Sequence, residues 1–129
     1  DNASFVQLNS LPRSNILAPF DFGPRILLMT PHGVLATSHH RNDKAMADQI
    51  RIFISTPDVA REILEAHDIR YIVVCDDEVE LEFYAKKHPE GLWAQLVKGK
   101  KPDWLQPVHL RDNSLTIWRV AARKLRNTI

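Results

Sequence analysis

His32, His39 and His40, with Asp21 and Asp43 nearby in the chain, form the densest gathering of potential ligands in the sequence. Neutral imidazole combined with carboxylate is the donor set that zinc and similar ions take. The spacing matches neither the helical H-E-x-x-H arrangement nor a finger motif. On an extended segment adjacent histidines point to opposite sides, so at most one of His39 and His40 joins His32. Surface or loop-anchoring roles outweigh a metal site for these histidines, and no metal or cofactor is expected. The same stretch offers a second chemistry. Arg41 can hold a carboxylate or phosphate in two parallel hydrogen bonds, and Asn42 supplies both a donor and an acceptor. These residues follow an expected strand, where open α/β sheets build their ligand crevices. The expected binding set is therefore His32, His39, His40, Arg41 and Asn42, with no catalytic residue assigned. Pairing of Arg41 with Asp43 and capping of the next helix by Asn42 explain the same residues about as well.

Asp76 and Asp77 close the most apolar run of the chain, where a carboxylate can act as a base or a ligand. Helix capping by Asp77 is the simpler expectation. Cys75 is the only cysteine, which excludes an intramolecular disulfide, and its apolar neighbours Tyr71-Ile72-Val73-Val74 suggest a buried, inert thiol. No G-x-G-x-x-G, P-loop, G-x-S-x-G or C-x-x-C motif is present, and four glycines leave the backbone few places to cradle a phosphate. Trp93, Trp104 and Trp118 read as core or edge packing, with Trp104 partly exposed between Pro102 and Pro107.

The 17 Lys and Arg are balanced by 16 Asp and Glu, so no overall field draws this chain onto nucleic acid. Lys98, Lys100 and Lys101 make one basic cluster, and Arg119, Arg123, Lys124 and Arg126 make another; both read as solvated faces. A length of 129 residues suits one domain that buries roughly two thirds of its unfolded surface, without a metal or disulfide staple. No run approaches the roughly 18 to 20 consecutive apolar residues of a membrane span, and no basic-then-apolar leader opens the chain, so it reads as soluble. Opening on Asp1 rather than methionine, it is expected to continue a longer polypeptide.

These residues need elements to hold them. Residues 1–14 read as a linker or a short helix over 5–11. Residues 15–18 read as a short buried strand closed by Pro19. Asp21-Phe22-Gly23-Pro24 signals a turn into a short helix from Pro24 through residues 25–29, although those five residues suit a strand equally, and residues 33–37 read as a second strand. Residues 44–55 are compatible with helix or strand, and Ala45, Met46, Ala47 and Gln49 favour helix. Ser55-Thr56-Pro57-Asp58 resembles a capping box opening a helix to about residue 66, with Val59, Ile63 and Ala66 inward and Arg61, Glu62 and Glu65 outward. Residues 69–75 are continuously apolar and β-branched, as in a central strand covered on both faces. A helix over 78–88 is expected to turn Val79, Leu81, Phe83 and Ala85 inward, and a shorter one over 91–98 to close at Gly99. Residues 106–110 and 115–120 then form a hairpin. The alternation predicts a three-layer α/β fold over residues 15–120: a small, mainly parallel sheet, flanking helices and an antiparallel C-terminal hairpin edge, with 121–129 as a tail.

Asn15-Ile16-Leu17-Ala18-Pro19, Gly23-Pro24, Thr30-Pro31-His32, His39-His40-Arg41-Asn42, Tyr71-Ile72-Val73-Val74-Cys75, Gly91-Leu92 and Pro102-Asp103-Trp104-Leu105 together resemble a bacterial pattern. It is that of the soluble C-terminal domain of large multi-pass inner-membrane proteins, similar in layout to GT-C-type glycosyltransferases that use lipid-linked sugars. The resemblance covers about residues 15–120. It implies that catalytic carboxylates lie in loops between membrane helices, outside this chain, and that this domain faces the extracytoplasmic, periplasmic side of the inner membrane. The implied partners are the membrane-embedded portion of the same polypeptide and a glycan or lipid-linked sugar acceptor, with no nucleic acid. The expectation is an accessory domain that positions the acceptor or packs on the membrane part, without turnover of its own. Two other classes stay open: a self-contained small enzyme or metal-binding domain built on His32, His39, His40 and Asp43, and an oligomerisation module.

Overall fold

The computed structural model describes residues 2–35, 43–75, 78–111 and 114–122. Its strands are β1 (Asn15–Leu17), β2 (Gly33–Val34), β3 (Ile69–Val74), β4 (Leu105–Val108) and β5 (Thr116–Val120). Its helices are α1 (Asn2–Val6), α2 (Gly23–Met29), α3 (Asp43–Ile54), α4 (Pro57–Ala66), α5 (Val79–Lys87) and α6 (Leu92–Val97), with 3-10 turns at Gln7–Ser10 and Phe20–Phe22. The strands form a single sheet in the order β2-β1-β3-β5-β4. β2, β1 and β3 run parallel, while β5 pairs antiparallel with both β3 and β4. The three-layer sheet with a hairpin edge is thus the architecture that the alternation predicts.

β3 occupies the centre because its residues are apolar on both faces, a pattern stable only between two layers. Ile72 and Val74 enter one core with Leu17, Ile52, Phe53, Leu64, Leu81 and Leu92. Tyr71 and Val73 enter the other with Phe5, Ile16, Phe22, Ile26 and Ile117. Both layers exclude water: Ile72, Val73 and Val74 are fully buried. Pro107 interrupts donors only in β4, an edge strand, where one N–H faces away from the ladder.

The loops follow rules legible residue by residue. Pro24 lies in the first turn of α2, where a missing N–H costs nothing. Gly99 adopts φ 79° after α6, its N–H reaching the Leu96 carbonyl at 3.0 Å while the Lys100 N–H reaches Gln95 at 2.8 Å, the Schellman arrangement. Residues 43–54 are helix, and their buried set Ala45, Asp48, Gln49, Ile52 and Phe53 follows one helical face.

Several local expectations are corrected. Thr56, not Ser55, caps α4, and no side-chain bond closes a capping box there. The core face of α4 centres on Ala60 and Leu64, which leaves Val59 exposed and draws Arg61 inward over the Trp104 ring at 5.6 Å. In α5 the buried residues are Leu81 and Tyr84, while Val79 and Phe83 are exposed. Placing Val79, Leu81, Phe83 and Ala85 together imposes a strand's period of two on a helix, whose neighbours recur at three and four. Cys75 is half-buried rather than enclosed, its thiol facing the Ser114 carbonyl at 4.0 Å. Trp104 is buried rather than partly exposed.

Candidate functional site

Chains in open α/β sheets bind ligands where adjacent parallel strands send their connections to opposite faces. Here those strands are β1 and β3. The connection after β1 leads to α2, which packs with Ile26 in the core of Phe5 and Tyr71. That after β3 leads to α5, which packs with Leu81 and Tyr84 in the core of Ile72 and Leu64. The carboxyl ends of β1 and β3 therefore open a rim lined by Phe20 and Asp21 on one side and by Glu78 and Glu80 on the other.

Glu80 ties the two sides together. One carboxylate oxygen accepts the Phe20 backbone N–H at 3.2 Å and the other accepts the Tyr84 hydroxyl at 3.0 Å. Burial raises the Glu80 carboxyl above its ordinary 4.5; the Tyr84 and Phe20 bonds pull it back, and nearby Asp21 and Glu78 push it up again. The Tyr84 phenol is pushed up too, first by burial and then by the Glu80 charge. Beneath the rim, fully buried Gln49 donates from Nε2 to the Ala18 carbonyl at 2.6 Å, fixing the exit of β1, while its Oε1 has no partner among the described residues.

A carboxyl whose folded pKa lies above its unfolded value binds its proton more tightly in the folded state. Stability is then greatest below about the ordinary value and declines as pH rises through the folded pKa. Glu80→Gln retains an acceptor for Phe20 and a donor for the Tyr84 oxygen but cannot ionise. Thermal melts are expected to show the variant more stable than wild type at neutral pH, with the advantage shrinking on acidification. Parallel melting curves across that range would refute the assignment.

His32 takes the loop-anchoring role. It is 2% exposed, its Nδ1 accepts the Ser14 N–H at 3.2 Å, and its Nε2 lies 2.7 Å from the Leu8 carbonyl. A carbonyl only accepts, so Nε2 carries the proton and both ring nitrogens are engaged by backbone. It immediately precedes β2, at the amino ends of the parallel strands, whereas the His39-His40-Arg41-Asn42 block follows β2 in sequence. That block, and Asp76 and Asp77, lie outside the described residues. The cap position of α5 is Glu78, one residue beyond Asp77. Among the described residues, no three His, Cys, Asp or Glu side chains are placed to hold a metal ion.

Two polar features escaped the sequence reading. Glu80 and Tyr84 stand four residues apart on one helix, a spacing that signals a side-chain pair. Asp48, on the buried face of α3, receives the His67 Nε2 at 2.8 Å and Arg51 at 3.3 Å, and the His67 bond chiefly lowers its pKa. A hollow of about 630 Å³ lies at the opposite, amino-terminal rim of the parallel strands, lined by Arg13, Arg70 and Arg119.

No family model matches the sequence, and neither does any curated protein. No helix among the described residues is long and apolar enough to cross a membrane. The fold itself is shared. The crystal structure of the C-terminal globular domain of an oligosaccharyltransferase from Archaeoglobus fulgidus superposes with a TM-score of 0.65 over 92% of this chain and 92% of that one, at 13% identity.

Proposed function

We propose that this chain is an accessory domain of a membrane-embedded glycosyltransferase-like protein, on the extracytoplasmic, periplasmic face of a bacterial inner membrane. It packs against the membrane-embedded portion of the same polypeptide and positions a glycan or lipid-linked sugar acceptor, without turnover of its own. The observation that supports this reading is end-to-end similarity of fold to the C-terminal globular domain of an oligosaccharyltransferase. His39, His40, Arg41 and Asn42 are the proposed acceptor contacts, because they follow β2 in sequence and combine imidazole, guanidinium and amide groups suited to sugar hydroxyls and phosphate oxygens.

Cysteine labelling of the full-length polypeptide tests the placement. Glu62→Cys, on the exposed side of α4, is introduced together with Cys75→Ala and probed with a membrane-impermeant maleimide. Labelling of intact spheroplasts is expected, and labelling only after lysis overturns the extracytoplasmic assignment. Sugar transfer or hydrolysis by this chain without its membrane portion overturns the accessory role.

A further inference from the structure

Arg13, Arg70 and Arg119 come from three separate stretches of sequence and meet around one groove of about 630 Å³. Sheet register brings two of them together, since Arg119 stands opposite Tyr71, the neighbour of Arg70, across the β3–β5 pair. Arg13 precedes β1, next to a residue held from two directions: the Ser14 N–H is bound by His32 and its carbonyl accepts the Gly33 N–H at 3.0 Å.

Two of the three guanidinium groups are held by side-chain bonds, Arg119 by a neutral amide and Arg70 by a carboxylate. Arg119 donates from Nε to the neutral Gln106 amide oxygen at 3.0 Å, and from a second nitrogen to the same oxygen. Arg70 donates from Nε to Asp68 at 3.1 Å. Asp68 follows α4 with φ 52°, a left-handed position that favours glycine, so an aspartate here accepts a backbone cost while supplying the carboxylate that aims Arg70. Among the described residues, neither Arg13 nor Arg119 has an acidic partner within 4.0 Å. Three positive charges against the one of Asp68 leave the groove with a charge of +2.

We propose that this groove binds a phosphate-bearing anion, with Arg13 and Arg119 as its principal contacts and Arg70 as a third. Planar guanidinium forks match the oxygen geometry of phosphate and bind it more strongly than neutral donors do. Its volume exceeds that of one phosphate, leaving room beside Tyr71 and Val120 for a group esterified to it. The inference goes beyond the accessory-domain reading and does not require it.

The test titrates the chain with inorganic pyrophosphate and, separately, with vesicles of phosphatidylglycerol or phosphatidylcholine, following the arginine Nε–H NMR signals. Pyrophosphate is expected to shift the Arg13 and Arg119 signals, and Arg13→Ala with Arg119→Ala to weaken binding by about tenfold or more, the cost of one or two charge-assisted bonds. Lys87→Ala with Lys100→Ala removes the same charge from exposed positions elsewhere and is expected to leave affinity unchanged. Response to pyrophosphate alone identifies a soluble phosphate ligand, and response confined to phosphatidylglycerol vesicles identifies a lipid headgroup; either supports the site if it depends on the arginines. The proposal is overturned by no response to either probe, or by equal loss in the lysine variant, which would mark bulk attraction.

Discussion

Phe53→Ala is expected to lower the unfolding free energy by about 3–5 kcal/mol, the range for removing a fully buried aromatic ring. Phe53 is 1% exposed near the C-terminal end of α3. Its ring lies 5.8 Å from that of Tyr84 on α5, at an interplanar angle of 20°, and 6.3 Å from that of Trp93 on α6, at 87°. Trp93 in turn meets Trp118 of β5 edge-on at 6.2 Å. One side chain therefore links three helices and, through Trp93, the sheet, so its removal opens a cavity that no neighbour can fill without leaving its own contacts. A loss of this size is a large share of the roughly 5–15 kcal/mol by which domains are stable. Denaturant titration followed by tryptophan fluorescence measures it. Leu28→Ala is the matched control, because Leu28 is 84% exposed on α2, and its midpoint should hardly move. A Phe53→Ala loss no larger than that of the control would mean that the helical layer is not organised around this ring.

The same corner shows what a sequence can disclose. β3 is legible because Ile72, Val73 and Val74 leave no polar face to turn toward water, and such a run is stable only inside a sheet. The hairpin edge is legible from two short strands separated by polar turn residues, and the end of α6 from Gly99. Local patterning fails where burial depends on a distant partner. Nothing near Val79 or Phe83 says that α5 will turn Leu81 and Tyr84 to the core; that follows from Phe53, on another helix, and from the Phe20 N–H that fixes Glu80. His32 was visible as a ligand type, but its partners lie 18 and 24 residues away, at Ser14 and Leu8, and they convert it into an anchor. The arginine groove is the extreme case. Arg13, Arg70 and Arg119 share no motif and become neighbours only through strand order and register. Their signs sum with the acidic residues to a net charge of +1 over the chain, which hides a local excess.

Gly91→Ala should be nearly as damaging as loss of the Phe53 ring, although it adds a single carbon. Gly91 has φ −73°, an ordinary value for any residue, so backbone freedom does not explain the glycine. Space does. A Cβ there would lie 2.6 Å from the Ile54 carbonyl oxygen, 2.8 Å from its carbon and 2.9 Å from its Cα. All three are backbone atoms at the end of α3, and a backbone cannot step aside as a flexible side-chain tip can. The approach is held from the next residue, whose N–H reaches the Ser55 carbonyl at 2.7 Å. Relieving the clash must therefore break that bond or push α6 from α3, separating Phe53 from Trp93. We expect a loss of about 3 kcal/mol, at the upper end for overpacked sites. Urea denaturation of Gly91→Ala against wild type measures it, and Gly99→Ala discriminates the cause: a Cβ at Gly99 meets nothing within 4 Å but suffers positive φ, so its cost of about 1 kcal/mol is conformational. Equal losses at the two positions, or a smaller one at Gly91, would show that the α3–α6 approach is looser than the 2.7 Å bond implies.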